Sequence, residues 1–524
     1  MAKFSRCAGA FAAGLSAFAA TLVQTSEARA EDAPSVSAWG APKSETFDAG
    51  AWARLRFNAL SDFPLDTVGT RNDQRAFLES RLRAFGAWTP SETFVLKAEV
   101  DAFSGVLAGD KTALGTVLAS DTLRYRLDRT FGLGWVDLRQ LYFAWRLPFG
   151  ELRVGQQAFS WGLGLLANGG EGEPDFGDRR YGDLVERVAF GTKPFVNSDA
   201  GEFVKQLSFF VGGDLVRRDE NAELTRGDVA FQGVFGVRSQ TEPVSAGLFA
   251  SARTQKDKRE VQGRPIVQAA AVDAYASVRI AKLDDARAFR AEGEVAAIAG
   301  RTTRPYLDDT RDGASVRSFG GVLRLRYDDT SLRLVVKNEV GYASGDNDPR
   351  DDTVRTFTFD PDYKVGLILF DQVLARLSAR AIDRAADPTL VAIPPSGTRY
   401  LVTQGAVTNA VYMHPVVRYR PAAPFEVRLG YLFAYSAGDL VDPFSSAQAG
   451  GFNATYGGRS PGSRSLGQEV DLGLHYTIPL GESGAVARVG AEGGLFFAGA
   501  AFDGVGGGNL GTVWMGRLLG DVRF

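Results

Sequence analysis

Apolar and polar side chains alternate with a period of two along most of the chain. In residues 51–59, Ala51, Ala53, Leu55, Phe57 and Ala59 share one face, while Trp52, Arg54, Arg56 and Asn58 share the other. Residues 94–101 set Phe94, Leu96, Ala98 and Val100 against Val95, Lys97, Glu99 and Asp101. Residues 425–436 and 469–478 repeat the pattern, with Val427, Leu429, Tyr431, Phe433 and Tyr435 in one segment and Val470, Leu472, Leu474, Tyr476 and Ile478 in the other. A two-residue period is that of a strand whose faces meet different surroundings. Short turns rich in Pro, Asp, Gly and Ser fall near 89–91, 148–149, 240–243, 282–287, 328–330, 421–424 and 479–484. Longer polar stretches fall between them, near 60–76, 103–133, 161–185, 254–270, 299–314, 344–398 and 438–465. Alternating short and long connections predict an all-β, transmembrane antiparallel up-and-down β-barrel of about eighteen strands, with short periplasmic turns and long extracellular loops. Residues 365–376 read as loop, with a further strand or a loop helix as alternatives.

Both ends of the chain agree with that architecture. Lys3 and Arg6 precede a small Ala-rich apolar stretch over 8–23, and Ala28-Arg29-Ala30 fits a signal-peptidase site. The expected division is a signal peptide over 1–30, a short periplasmic segment over 31–46 and an outer-membrane barrel over 47–524. At the other end Leu518, Gly520, Val522 and Phe524 alternate with Arg517, Leu519, Asp521 and Arg523, resembling the terminal-strand signal read by barrel-assembly machinery. Composition removes several rivals. Mean hydropathy is −0.10, as expected when only alternate residues of a spanning segment meet lipid. Cys7 is the only cysteine and lies in the signal segment, so the mature chain has no disulfide or thiolate metal site. A net charge of −3 argues against a nucleic-acid partner.

Alternation assigns chemistry to faces, because charged side chains at bilayer depth must point inward. The expected lumen carries Arg54, Arg56, Arg81, Arg83, Lys97, Arg153, Arg324, Arg326, Arg333, Lys337, Arg428, Arg488 and Arg517. Glu79, Glu99, Glu151, Glu339, Glu469, Asp471, Glu492 and Asp521 are interleaved with them. A basic ring would lower the barrier to an anion. The same charges could simply pair across the interior. Catalytic signatures are lacking: His414 and His475 belong to no triad pattern, and no helix follows the Gly504–Gly508 stretch. The acidic run from Asp346 to Asp352 lacks calcium-loop spacing and reads as a solvated loop. Neither an enzyme nor a cofactor is expected.

Three segments resemble the alginate-export family of outer-membrane porins. Tyr342-Ala343-Ser344-Gly345-Asp346, followed by Asp352 and Thr356-Phe357, looks like its Y-x-S-G-D segment. Leu466-Gly467-Gln468-Glu469-Val470-Asp471, followed by Tyr476 and Phe496-Phe497-Ala498-Gly499, is a second. The third spans Asp137 to Gln157, where the family's G-R-Q reads Gly155-Gln156-Gln157. The resemblance implies an Arg-lined pore and adds Arg139, Glu469 and Asp471 to the solute path. The period leaves the face of Arg139 open: Leu141, Phe143 and Trp145 share its phase, and Tyr142 and Arg146 the other. The expected function is passive diffusion or export of a hydrophilic anionic solute such as an exopolysaccharide. Outer-membrane lipids, the assembly machinery, an anionic sugar and periplasmic export proteins are the expected partners. A non-conducting scaffold or sheath for a periplasmic or electron-transfer partner is the alternative.

Overall fold

The computed structural model describes residues 45–114, 131–180, 182–258, 264–304, 313–391, 396–459, 462–481 and 484–524. The expected signal peptide lies outside them. Strands run Thr46–Leu60 (β1), Ala76–Ser91 (β2), Phe94–Gly109 (β3), Leu133–Leu147 (β4), Gly150–Ala158 (β5), Leu184–Thr192 (β6), Ser208–Arg218 (β7), Val229–Gln240 (β8) and Val244–Lys256 (β9). They continue as Ile266–Lys282 (β10), Arg287–Thr302 (β11), Ala314–Asp329 (β12), Leu334–Ala343 (β13), the two-residue Thr353–Val354 (β14), Ala410–Ala422 (β15), Phe425–Ser436 (β16), Ser465–Leu480 (β17), Ala485–Ala498 (β18) and Thr512–Arg523 (β19). Each barrel strand pairs antiparallel with the next, β13 pairs with β15, and β1 pairs with β19 from Trp52↔Arg523 to Leu60↔Met515. β14 lies in a loop and pairs parallel to β12. The result is a closed cylinder of eighteen strands without an edge.

The outer face carries the apolar set. Val136 and Leu518 are 74% and 60% exposed, and Phe235, Leu248, Val295, Leu323, Leu429 and Leu472 lie exposed on other strands. Large apolar side chains on strand after strand form a surface matched to hydrocarbon, and closure pairs each barrel strand on both sides. Fold and surface together define the class: an outer-membrane-type β-barrel.

Three connections escape the polar-stretch reading. Residues 193–207, on the short-turn side, form a longer crossing that contains apolar Phe195 and Phe203 and a helical turn at Glu202–Lys205. The 219–228 and 499–511 connections are outer loops, the first compact and the second rich in glycine. β3 also continues to Gly109, beyond the expected loop start at 103. Residues 365–376 contain no strand. Leu369–Leu374 form a π-helical turn that runs into the helix Ala375–Ala385.

The interior departs from the expected polar lumen. The 344–409 connection folds into the barrel, and Phe359, Leu367, Ile368, Phe370, Val373 and Leu377 pack against inward Val322, Tyr412, Leu432, Phe496, Val513 and Met515. Outer-half wall positions are therefore apolar on both faces, because a loop covers them in place of water.

Candidate functional site

A contiguous arc of inward basic side chains crosses the strands from β13 through β19 and on to β4. Arg54 and Arg56 project from β1, Arg81 and Arg83 from β2, and Arg139 from β4. Lys337, Arg418, Arg428, Arg488, Arg517 and Arg523 complete it from β13, β15, β16, β18 and β19. A β-bulge settles the face of Arg139. Glu99 pairs with Gln140 and Val100 with Leu138, so Arg139 is the extra residue and turns inward beside Gln140. The phase then shifts, and Leu141 and Trp145 point outward. Lys97 shares the lumenal phase of Glu99, and Arg153 pairs with Glu151 at 2.6 Å. Arg324 bonds Glu339 at 2.8 Å. Arg326 is more exposed and pairs with Asp328 beside the turn.

Arg333, expected in the lumen, lies outside the strand pattern. It occupies the turn between Asp329 and Leu334, exposed and with φ +53°. Asp329 takes the Ser331 hydroxyl and the Leu332 amide and ends the strand there, so the period-two count does not reach Arg333.

The acids that answer this arc come from two sources, wall residues such as Glu99, Asp101, Glu426 and Asp521 and a loop. Between β5 and β6, residues Gly169–Arg180 cross the lumen as a strap bearing Glu171, Glu173, Asp175 and Asp178. Glu171 accepts from Arg83 at 2.6 Å and Arg139 at 3.0 Å. Glu173 accepts from Arg488 at 2.9 Å and also meets Arg523. Asp175 meets Lys337 and Arg418, and Asp178 meets Arg54 and Arg56. Strap carbonyls are held as well: Arg81 donates to Arg179 O at 2.8 Å, and Arg428 to Asp175 O at 2.9 Å. Burial alone would raise the Asp178 carboxyl, but the facing Arg54, Arg56 and Arg81 outweigh it and hold it well below the usual carboxylate range. Burial is likewise outweighed at Glu171 by Arg83 and Arg139, at Glu173 by Arg488, and at Asp175 by Lys337 and Arg418. Phe176 seats its ring against Gly430, where a Cβ would come within 2.6 Å of it. The void left among Arg54, Arg56, Arg81, Asp178 and Arg180 is about 20 Å³.

Glu469 and Asp471 do not line an open path. Glu469 accepts the successive amides of Leu367, Ile368 and Leu369 at 2.5, 2.8 and 2.7 Å, anchoring the inserted 344–409 loop. Asp471 is fully buried against it. Glu294 repeats the device on β11 with the amides of Leu163, Gly164 and Leu165. The Y-x-S-G-D segment builds the root of the same loop. Tyr342 stacks outside on Phe319, and Ser344 bonds Arg355 O at 2.6 Å and receives the Phe319 amide at 3.1 Å. Gly345 leaves room for Asn409, and Asp346 accepts the Asp348 and Arg355 amides. The Asp352 carbonyl receives the Ser315 amide, Thr356 borders the cavity described next, and Phe357 is buried in the core.

Away from the arc, a cavity of about 390 Å³ lies between the inserted loops and the wall of β6–β12, bordered by Arg253, Asp257, Arg304 and Tyr400. At its margin Asp183, Glu220 and Asp360 bring carboxylate oxygens within 4.8 Å of one another. Burial first and neighbouring carboxylates second push Asp183 and Asp360 well above the ordinary range. His414 packs near Phe176, and His475 lies 3.6 Å from Glu492, both buried.

Sequence reading found the wall arginines but missed the strap. Its signal was present as Glu171-Gly172-Glu173-Pro174-Asp175-Phe176-Gly177-Asp178, a run of spaced acids inside a polar stretch.

No known family profile and no curated protein matches the chain. Similar solved structures include OccAB2 of Acinetobacter baumannii, at 12% identity and a TM-score of 0.48, covering 91% of this chain and 98% of that one. OccD3 (OpdP) of Pseudomonas aeruginosa has 10% identity and a TM-score of 0.49, covering 95% of each chain. OpdK of the same organism, crystallised with vanillate, has 12% identity and a TM-score of 0.48, covering 91% and 98%. The eighteen-stranded barrel is defined by its own strand register, independently of these likenesses.

Proposed function

We propose that this barrel is a passive outer-membrane channel for a hydrophilic anionic solute. The supporting observation is the basic arc, in which Arg56, Arg418 and Arg523 form ion pairs, among the described residues, with strap carboxylates only. Cations that merely filled the barrel would be neutralised by the rigid wall. Here much of the countercharge sits on a loop, which leaves a surface able to attract and release an anion. Export of an acidic polysaccharide is the finer reading, supported by the Y-x-S-G-D resemblance. Planar-bilayer recording of the purified barrel in a salt gradient tests the proposal. The expected reversal potential is that of an anion-selective pore, and cation selectivity would refute it.

A further inference from the structure

The strap from Gly169 to Arg180 has a use beyond neutralising the wall. Its four carboxylates recur at residues 171, 173, 175 and 178 and meet eight basic side chains: Arg83 and Arg139, Arg488 and Arg523, Lys337 and Arg418, Arg54 and Arg56. In effect a short polyanion of the chain's own lies in the place an anionic solute would take. With the strap seated, its carboxylates occupy the basic side chains that would otherwise receive a passing anion. The hold is mainly polar. Phe176 is the one strap residue in the buried apolar core, and a seat made of ion pairs is weakened by competing ions to the extent that they reach it. The backbone has pivots at Gly170, Gly172 and Gly177, with φ of +74°, +77° and +83°.

We propose that Gly169–Arg180 is an autoinhibitory gate: a tethered internal anion that closes the basic arc and yields it to soluble anions in competition. This rests on the channel reading above. When the strap leaves, Arg56, Arg418 and Arg523 lose the only carboxylates they pair with among the described residues, and the arc becomes a strongly positive surface. Entry of an anion and departure of the strap are then one exchange, in which net lumen charge changes little.

The test is single-channel recording of the full mature barrel beside a neutral-strap variant, Glu171→Gln, Glu173→Gln, Asp175→Asn and Asp178→Asn combined, each checked for folding by heat-modifiable gel migration. In KCl from about 0.1 M to about 1 M, unmodified conductance should rise more steeply than the bulk solution's, because screening frees the strap. The neutral variant should conduct about fivefold more at the low end, with a higher chloride preference and a curve parallel to bulk conductivity. A milder variant, Asp178→Asn alone, removes one strap carboxylate and should raise low-salt conductance by a smaller factor, which keeps the test readable if the neutral variant folds poorly. Equal, measurable conductance in unmodified and neutral-strap barrels overturns the gate alone, as does an Asp178→Asn barrel that conducts no more than the unmodified one. Absence of conductance in every barrel overturns the channel reading and the gate with it.

Discussion

Two loops enter this barrel, and they are held by opposite means. The strap between β5 and β6 is seated by ion pairs and carbonyl contacts, with one aromatic ring in a socket. The 344–409 insertion brings a dense apolar surface, from Phe357 through Leu377, into the outer half of the lumen and adds one glutamate anchor. Under the gate proposed above, the contrast separates the loop that exchanges partners from the loop that stays, the two being joined where Asp362 of the insertion accepts the Arg180 amide at 2.6 Å. A packed apolar insert leaves only at the cost of exposing its whole face to water. A seat of paired charges exchanges one set of partners for another, and its net worth is small compared with the cost of breaking a single half.

The sharpest way to break the contrast is to cut the fixed loop. Phe370→Ala removes a ring buried among Tyr412 and the surrounding core; it should cost about 3–5 kcal/mol, read by urea unfolding of the micelle-embedded barrel. A loss below about 1 kcal/mol would mean the insert is held no better than the strap. Next, Glu469→Ala orphans three buried amides and should cost about 2–3 kcal/mol, with new protease cleavage within 366–391. Cleavage unchanged from the unmodified barrel would show that packing alone retains the loop. The smallest effect concerns pH. The strap carboxyls sit below their ordinary values, so their contribution is present above about pH 4 and lost only as pH falls further. Asp183 and Asp360 sit above theirs, so their contribution is greatest in acid and lost as pH rises through the raised values. Hydrogen exchange, corrected for intrinsic rate, should therefore stay constant at 171–178 between pH 7 and 5 while slowing around Asp183 and Asp360. Faster exchange in the strap over that range would contradict the assigned charge state.

The wall was legible in the sequence because each strand residue sees only two environments. Arg54, Arg83 and Arg428 could be placed inward by counting, and eighteen strands emerged from the rhythm of turns. Counting failed where one residue is inserted, as at Arg139, or where a strand has stopped, as at Arg333. It failed again in the outer lumen, since Val322 and Leu432 face inward although apolar. Their partner is a loop some distance along the chain, and a two-state period cannot register a third, dry environment. Glu469 shows the limit for the site. Its lumenal phase was correct, but three loop amides decide its role, and a strand pattern carries no information about where a long loop will return.

The pairing of β1 with β19 has a consequence for how the molecule is made. Arg54 and Asp521, bonded at 2.9 Å across that seam, are 467 positions apart. Until those two strands meet, the sheet is a ribbon with two open rims, each able to capture a stray strand from another copy. Sealing is the contact of longest reach and hence the one with the greatest entropic delay. A lesion such as Asp521→Ala would therefore register first as slow maturation of the newborn ribbon and only afterwards as weakness of the finished barrel.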